Sequence, residues 1–164
     1  MKLSKILLVI LSVIFIGQLV YFYPQLPATI ASHFNASGQA NDWMSKSSFY
    51  AFEIILLVFF LAIGLFLPRL LFSMPDSTIN LPNKEYWLAP ERREQTLNSF
   101  GESFSWLFVG VIALFVAINQ IVLQANVSQQ DPSAVVLWTI LGVFLVFDLI
   151  IIISSIRKFS SVPK

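Results

Sequence analysis

The chain has 164 residues, of which 57% are hydrophobic and 12% charged, and its mean hydropathy is +0.78. A soluble core of this size cannot hide so much apolar surface from water, so the sequence predicts an integral membrane protein. No cysteine is present, the histidine is single and the net charge is +1, which argues against thiolate or multi-histidine metal sites and against a nucleic-acid partner. We expect no cofactor.

Four apolar runs are long enough to cross the hydrocarbon core as helices, for which about 20 residues are needed. They are residues 6–23, 49–72, 104–123 and 134–156. The predicted fold is an all-α membrane protein of one domain, residues 1–164, with four transmembrane helices. An ordered outer loop at 24–48 and an inner loop at 73–103, which contains an interfacial helix, connect them.

Basic residues are distributed unevenly between the predicted loops. Cytoplasmic loops carry an excess of Lys and Arg, and only Lys46 of the 10 basic residues falls on the opposite side. Both termini are therefore expected in the cytoplasm, and the membrane is expected to be the inner membrane of a bacterium. The other basic residues are Lys2, Lys5, Arg69, Lys84, Arg92, Arg93, Arg157, Lys158 and Lys164.

The first apolar run has an alternative interpretation as a cleaved signal peptide, because Lys2 and Lys5 precede it. No clear cleavage site with small residues follows the run. The aromatic residues at 21–23 are typical of an interfacial belt, which favours a retained helix.

The outer loop carries a characteristic series of residues, in which Pro24, Pro27 and Gly38 turn the chain several times. The series is Tyr23, Pro24, Leu26, Pro27, His33, Phe34, Asn35, Gly38, Trp43 and Lys46. It closely resembles the signature of a bacterial membrane family of unknown function, whose module forms the N-terminal part of SdpI-type toxin-immunity proteins. Ala31 stands where that family usually has proline.

A second block, residues 80–93, also looks like the segment that follows the second span in that family. Full SdpI-type proteins have an additional C-terminal membrane module that does not align with a chain this short. The resemblance therefore implies the family, but it does not by itself carry over immunity activity.

The outer loop is the candidate site for a ligand or partner. Histidine changes its charge near neutral pH, so His33 could form a pH-sensitive or ligand-facing site with Asp42 and Lys46; the alternative is that it holds the turn through backbone carbonyls. Asn35 and Gly38 suit positive-φ positions. The candidate residues are Tyr23, Pro27, His33, Phe34, Asn35, Gly38, Trp43 and Lys46.

The inner loop is predicted to contain a helix that starts at Pro90, runs along the interface and bends at Gly101 into the third span. Arg92 and Arg93 would meet anionic lipid or a cytosolic partner, although charge clusters are often only solvated surface. The candidate docking residues are Asn83, Lys84, Glu85, Tyr86, Trp87, Arg92 and Arg93.

Polar residues also occur within the apolar runs. An ionised carboxylate at the membrane centre costs about 2.5–3.5 kcal/mol on insertion scales, so Asp148 needs a partner, for which Arg69 is the candidate. The alternatives are protonation or a water-filled crevice. An interhelical hydrogen-bond cluster is expected among Gln18, Glu53, Asn119 and Gln120.

No catalytic motif is recognisable, so an enzyme is not expected. The leading hypothesis is a small membrane protein that senses, binds or neutralises a ligand or peptide at the outer surface. The alternatives are an accessory subunit of a larger membrane complex and, less favoured, a transporter or channel with a path from Glu53 to Asp148. Expected partners are membrane lipid, another membrane protein or a peptide, and a second copy of the chain.

Overall fold

Helices dominate residues 2–162, the part of the chain that this computed structural model describes. They are α1 (Leu3–Phe22), α2 (Lys46–Ser73), α3 (Lys84–Trp87), α4 (Pro90–Ser128) and α5 (Ala134–Ser160), with strands β1 (Thr29–Phe34) and β2 (Ala40–Ser45). All but the four-residue α3 are long and apolar enough to cross a membrane. The prediction of four apolar helices is confirmed, and the chain is a multi-pass membrane protein. Lys164, counted in the orientation prediction, lies outside the described residues.

The segment between α1 and α2 is an antiparallel β-hairpin, so the prediction of an all-α fold is wrong here. Ile30 on β1 lies opposite Met44 on β2, and both pack into the hydrophobic core of the bundle. Strand pairing also satisfies backbone groups that an irregular loop would leave to water. The hairpin is therefore a folded cap on one end of the bundle.

α4 is the central helix, since it packs against α1, α2 and α5. Ser4 of α1 donates a hydrogen bond to Glu102 near the start of α4 (2.7 Å), and Gln18 donates to Gln120 near its end (2.9 Å). These two contacts show that α1 and α4 run in the same direction. α2 and α5 return in the opposite direction beside them.

Gly101 is a packing position and not the predicted bend. α4 continues through it without interruption, and a Cβ atom built on Gly101 would lie 2.7 Å from the Cβ of Pro68 on α2. The absence of a side chain lets the two helices approach closely. At 1.5 Å per residue, the 39 residues of α4 extend about 58 Å, which exceeds the ~30 Å hydrocarbon core. One long helix starting at Pro90 thus replaces the predicted separate interfacial helix.

Candidate functional site

Asn126 of α4 holds the β-hairpin at one end of the bundle, which we call the hairpin end. Its side-chain Oδ1 accepts a hydrogen bond from the Ala31 backbone N–H (2.8 Å), and its Nδ2 donates to the Ala31 carbonyl (2.9 Å). Asn126 therefore bonds β1 much as a neighbouring strand would. It was not among the predicted site residues. Asn126 follows the buried Asn119 by seven residues, which places both side chains on the same face of α4. This spacing is the sequence signal that could have identified Asn126.

The segment between α4 and α5 and the start of α5 also hold the hairpin. Asp131 Oδ1 accepts a hydrogen bond from a backbone N–H of β2 (3.2 Å), and the indole N–H of Trp138 donates to a carbonyl of the hairpin turn (3.0 Å). Gly38 has φ +84° and lies against the Pro132 carbonyl, where a Cβ atom would collide. Two independent constraints therefore require glycine at this position.

Asn35 organises the hairpin turn through its side chain. Its Oδ1 accepts hydrogen bonds from the backbone N–H groups of Ser37 (2.9 Å) and Gln39 (3.1 Å). Among the described residues of this turn, only Gly38 has a positive φ. The expected positive φ of Asn35 is therefore wrong, and an Asx-type turn takes its place.

Lys46 closes the base of the hairpin. Its Nζ donates to the carbonyls of Tyr23 (3.1 Å) and Leu26 (3.0 Å) and lies 4.6 Å from the centroid of the Tyr23 ring. Such a cation–π contact contributes roughly 0.5–1 kcal/mol at exposed sites. Pro27 is exposed in the same connection. Lys46 and Tyr23 therefore act as a structural clamp.

His33 and Trp43 face outward from this scaffold. The Nδ1 of His33 lies 2.5 Å from the Oδ1 of Asn41, so its partner is a side chain and not the backbone carbonyls considered from the sequence. Trp43 is 55% exposed, whereas Phe34 is partly buried against the bundle core. Phe34 thus anchors the hairpin, and His33 and Trp43 remain accessible to a partner.

A cavity of about 160 Å³ lies between the hairpin and the last turn of α4. Trp43, Asn126 and Asp131 line it, together with Gln129, which caps α4 with φ +55°. Pockets for small molecules usually measure about 300–1,000 Å³. This cavity therefore has room for one side chain or a similarly small group.

The inner loop lies at the opposite end of the bundle, which we call the basic end, and caps α5. Asn83, with φ +50°, donates its amide to the carbonyls of Phe159 (3.2 Å) and Ser160 (3.0 Å), and the indole N–H of Trp87 donates to Phe159 (2.8 Å). The last carbonyls of a helix have no intrahelical donors, so these two side chains satisfy them. A second small core surrounds the cap, formed by Ile79, Leu81, Leu88, Leu97 and Phe159.

Arg92 and Arg93 are also bonded within the chain. Arg92 donates to the Tyr86 carbonyl (2.9 Å) and stacks 4.0 Å from the centroid of its ring. Arg93 pairs with Asp76 (2.9 Å) and donates to two carbonyls at the end of α2 (3.1 and 3.4 Å). Both guanidinium groups therefore hold the loop itself. The predicted docking residues that remain exposed are Asn83, Lys84 and Glu85.

A polar cluster joins α1 to α4 inside the bundle. Gln18 donates to Gln120 (2.9 Å) and accepts a hydrogen bond from Asn119 (3.2 Å). Glu53 on α2 does not join these bonds. Its buried Oε2 has no hydrogen-bond partner among the described residues, and neither has Asn119 Oδ1. Glu53 and Asn119 thus each have a buried acceptor oxygen without a donor among residues 2–162.

Arg69 and Asp148 do not form the predicted ion pair within residues 2–162. Arg69 lies on α2, with its guanidinium 6.0 Å from the centroid of the Phe66 ring. Asp148 lies against Gly110 of α4, and its buried Oδ1 has no described partner. The pair fails because α5 packs mainly on α4, away from α2.

Comparison with known proteins identifies only the N-terminal part of the chain. Residues 6–58 match the family described as Domain of unknown function (DUF1648). A DUF1648 domain therefore covers most of α1, the whole hairpin and the first part of α2. No curated protein and no solved structure matches the chain. The resemblance to an uncharacterised family is confirmed for this domain, and the relation to SdpI-type proteins stays a prediction.

Proposed function

We propose that this protein is a small non-enzymatic membrane protein that senses, binds or neutralises a peptide or another membrane protein at the outer surface. The observation that carries the proposal is the half-exposed indole of Trp43 on a hairpin that is held by α4, by the α4–α5 connection and by Lys46. Tryptophan is enriched among the residues that dominate binding energy at interfaces. A rigid mount also lowers the entropy lost when a partner binds.

The orientation of this proposal follows from the basic residues. The basic end contains the hydrogen bonds of Lys2, Lys158 and Arg93. Lys46 forms its hydrogen bonds at the hairpin end. The cytoplasmic excess of Lys and Arg supports a hairpin on the outer side of the membrane. We take the membrane to be the inner membrane of a bacterium.

An open strand edge suggests how a peptide binds. β2 pairs only with β1 in the described two-stranded sheet, so its other edge has no strand beside it, although the N–H of Ala40 at its start is bonded to Asp131. The Trp43 N–H is bonded there only to the neighbouring Asp42 carboxylate (2.8 Å), a local bond that an incoming carbonyl can replace. An extended peptide would add as a third strand, with one side chain in the cavity of about 160 Å³.

Binding at the hairpin would act on the rest of the protein through α4. A shift of the helices would release or tighten the cap of Asn83 and Trp87 on α5, and so expose or hide the cytoplasmic surface of residues 83–93. Immunity of the SdpI type, in which a peptide toxin is neutralised, is one specific form of this function, supported by the resemblance in the outer loop.

A photo-crosslinking amino acid at position 33 in native membranes tests the proposal. We expect a discrete adduct with a peptide or protein, and its loss when Trp43→Ala is added while the protein level stays unchanged. The same crosslinker in place of Arg157, exposed at the other end, is the matched control. Adducts with lipid only would instead make Trp43 an anchor in the headgroup layer. A fall in protein level would make it part of the folding of the loop.

The accessory-subunit alternative rests on α5. Phe159 is its only buried residue within Ala134–Ser160, so an apolar face of this helix remains available to lipid or to another subunit. Deleting the gene of a co-purifying partner would destabilise an obligate subunit, whereas a sensor should accumulate alone. A transporter would lose flux in Asp148→Asn at intact expression.

A further inference from the structure

A second polar site lies at the basic end, in the cleft between α4 and α5. A cavity of about 440 Å³ opens there, and its lining includes Lys2, Ser99, Glu102, Ser154, Ser155 and Lys158. The first and last helices of the chain thus bring two ammonium groups and several hydroxyl groups to one place. None of these side chains belongs to the candidate residues of the hairpin end or the inner loop.

The charges in this cleft do not cancel. Glu102 uses both carboxylate oxygens toward α1, where Oε1 accepts from Ser4 (2.7 Å) and Oε2 lies 3.3 Å from Lys2 Nζ. The Lys158 ammonium donates to the Ser99 hydroxyl and meets no carboxylate among residues 2–162. Two lysines against one glutamate leave one positive charge, which is carried by Lys158.

An apolar groove lies further along α4 and α5, on the same face of α4 as the polar cavity. This second cavity of about 380 Å³ is lined by Val109, Gly110, Ala113, Ala117, Phe144 and Phe147, among others. Six lining residues of α4 follow one another at intervals of three or four positions, a spacing that places them on one helix face. They are Ser99, Glu102, Trp106, Val109, Ala113 and Ala117. Trp106 lines the polar cavity and Phe147 lines the apolar one, and their ring centroids lie 6.5 Å apart.

We propose that this cleft binds one anionic phospholipid. The phosphate would lie between Lys158 and Lys2, within reach of the serine hydroxyls, and one acyl chain would lie in the apolar groove. Phosphate oxygens accept hydrogen bonds from ammonium and hydroxyl groups. Basic pockets between membrane helices are typical binding sites for the headgroups of anionic lipids. The groove selects a lipid over a free phosphate ion, because only a lipid has a chain to fill it. Asp148 lines neither cavity and so does not oppose the phosphate there.

Thermal unfolding of the purified full-length protein in a neutral detergent tests the site. Phosphatidylglycerol should raise the melting temperature, whereas phosphatidylcholine and inorganic phosphate should not. Lys158→Gln should weaken the apparent affinity for phosphatidylglycerol about fivefold, which corresponds to about 1 kcal/mol per basic residue at a membrane surface. Lys5→Gln removes a lysine of α1 that does not line the cleft and should leave the affinity unchanged.

The acyl groove is tested separately with Ala113→Leu, which fills it without changing any charge, and with Ala117→Leu if the first variant does not fold. Either should weaken the effect of phosphatidylglycerol. Equal stabilisation by phosphatidylcholine would overturn the anionic headgroup, and equal stabilisation by inorganic phosphate would overturn the lipid. An unchanged affinity in Lys158→Gln would overturn the site itself.

Discussion

Removing the side chain of Asn126 tests whether α4 holds the hairpin. Asn126→Ala deletes the two hydrogen bonds to Ala31 (2.8 and 2.9 Å) and leaves a backbone N–H and carbonyl of β1 without these partners. Each lost bond is worth about 1 kcal/mol net, so the free energy of local opening should fall by about 2 kcal/mol. Because 1.4 kcal/mol is a factor of ten, amides of the hairpin should exchange with solvent about 30-fold faster.

Hydrogen–deuterium exchange of the purified protein, read by mass spectrometry over residues 29–45, measures this effect. Gln124→Ala is the matched control, because Gln124 lies two residues earlier on the same helix and is exposed. Its exchange rates should match those of the unmodified protein. Equal rates in the two variants would refute the reasoning, and Asp131 and Trp138 would then be the contacts that hold the hairpin.

The remaining predictions concern packing, capping and the buried carboxyl group, and all are read from thermal unfolding in detergent. Gly101→Ala should destabilise the protein by about 1–3 kcal/mol, because the new Cβ atom would lie 2.7 Å from the Cβ of Pro68 on α2. Gly142→Ala is the matched control, because its Cβ atom meets open space, and it should stabilise the protein by about 0.5–1 kcal/mol. The same sign for both variants would contradict the packing argument. Trp87→Phe removes a donor to the last carbonyls of α5 and should cost about 1 kcal/mol; an unchanged melting temperature would mean that the cap contributes nothing. Glu53→Gln should raise the melting temperature, because a neutral amide costs less free energy to bury than a carboxylate without a partner among the described residues; a fall would show that the carboxyl group has a donor.

The four helices could be predicted because the requirement for a membrane span is local. A run of apolar residues must satisfy its own backbone groups in lipid, so length and composition suffice. The hairpin could not be predicted in the same way. Its strands are short, and among the contacts that hold Ile30 against the bundle is a bond from Asn126, almost a hundred positions later, to the next residue of β1. That contact exists only in three dimensions.

The candidate site shows the same division. Gly38 was correctly assigned a positive φ, because glycine is the residue that adopts it without strain. Arg92 and Arg93 were expected to face lipid or a partner, but a solvated arginine and one that bonds its own loop look alike in sequence. The difference depends on where the neighbouring carbonyls of Tyr86 and α2 lie.

α4 connects the two ends of the protein, and this limits how a signal can cross it. The helix is uninterrupted from Pro90 to Ser128, bonds the hairpin through Asn126 and packs its first turns into the second core through Leu97. A peptide that displaces the hairpin must therefore either break the Asn126 bonds or move α4. The second outcome carries a movement along α4 to the basic end, where Phe159 of α5 packs in the same small core as Leu97 and is capped by Trp87. A sensing mechanism that acts through α4 requires the hairpin to stay attached to this helix, so Asn126→Ala should then uncouple the ends even where it leaves Trp43 free to bind.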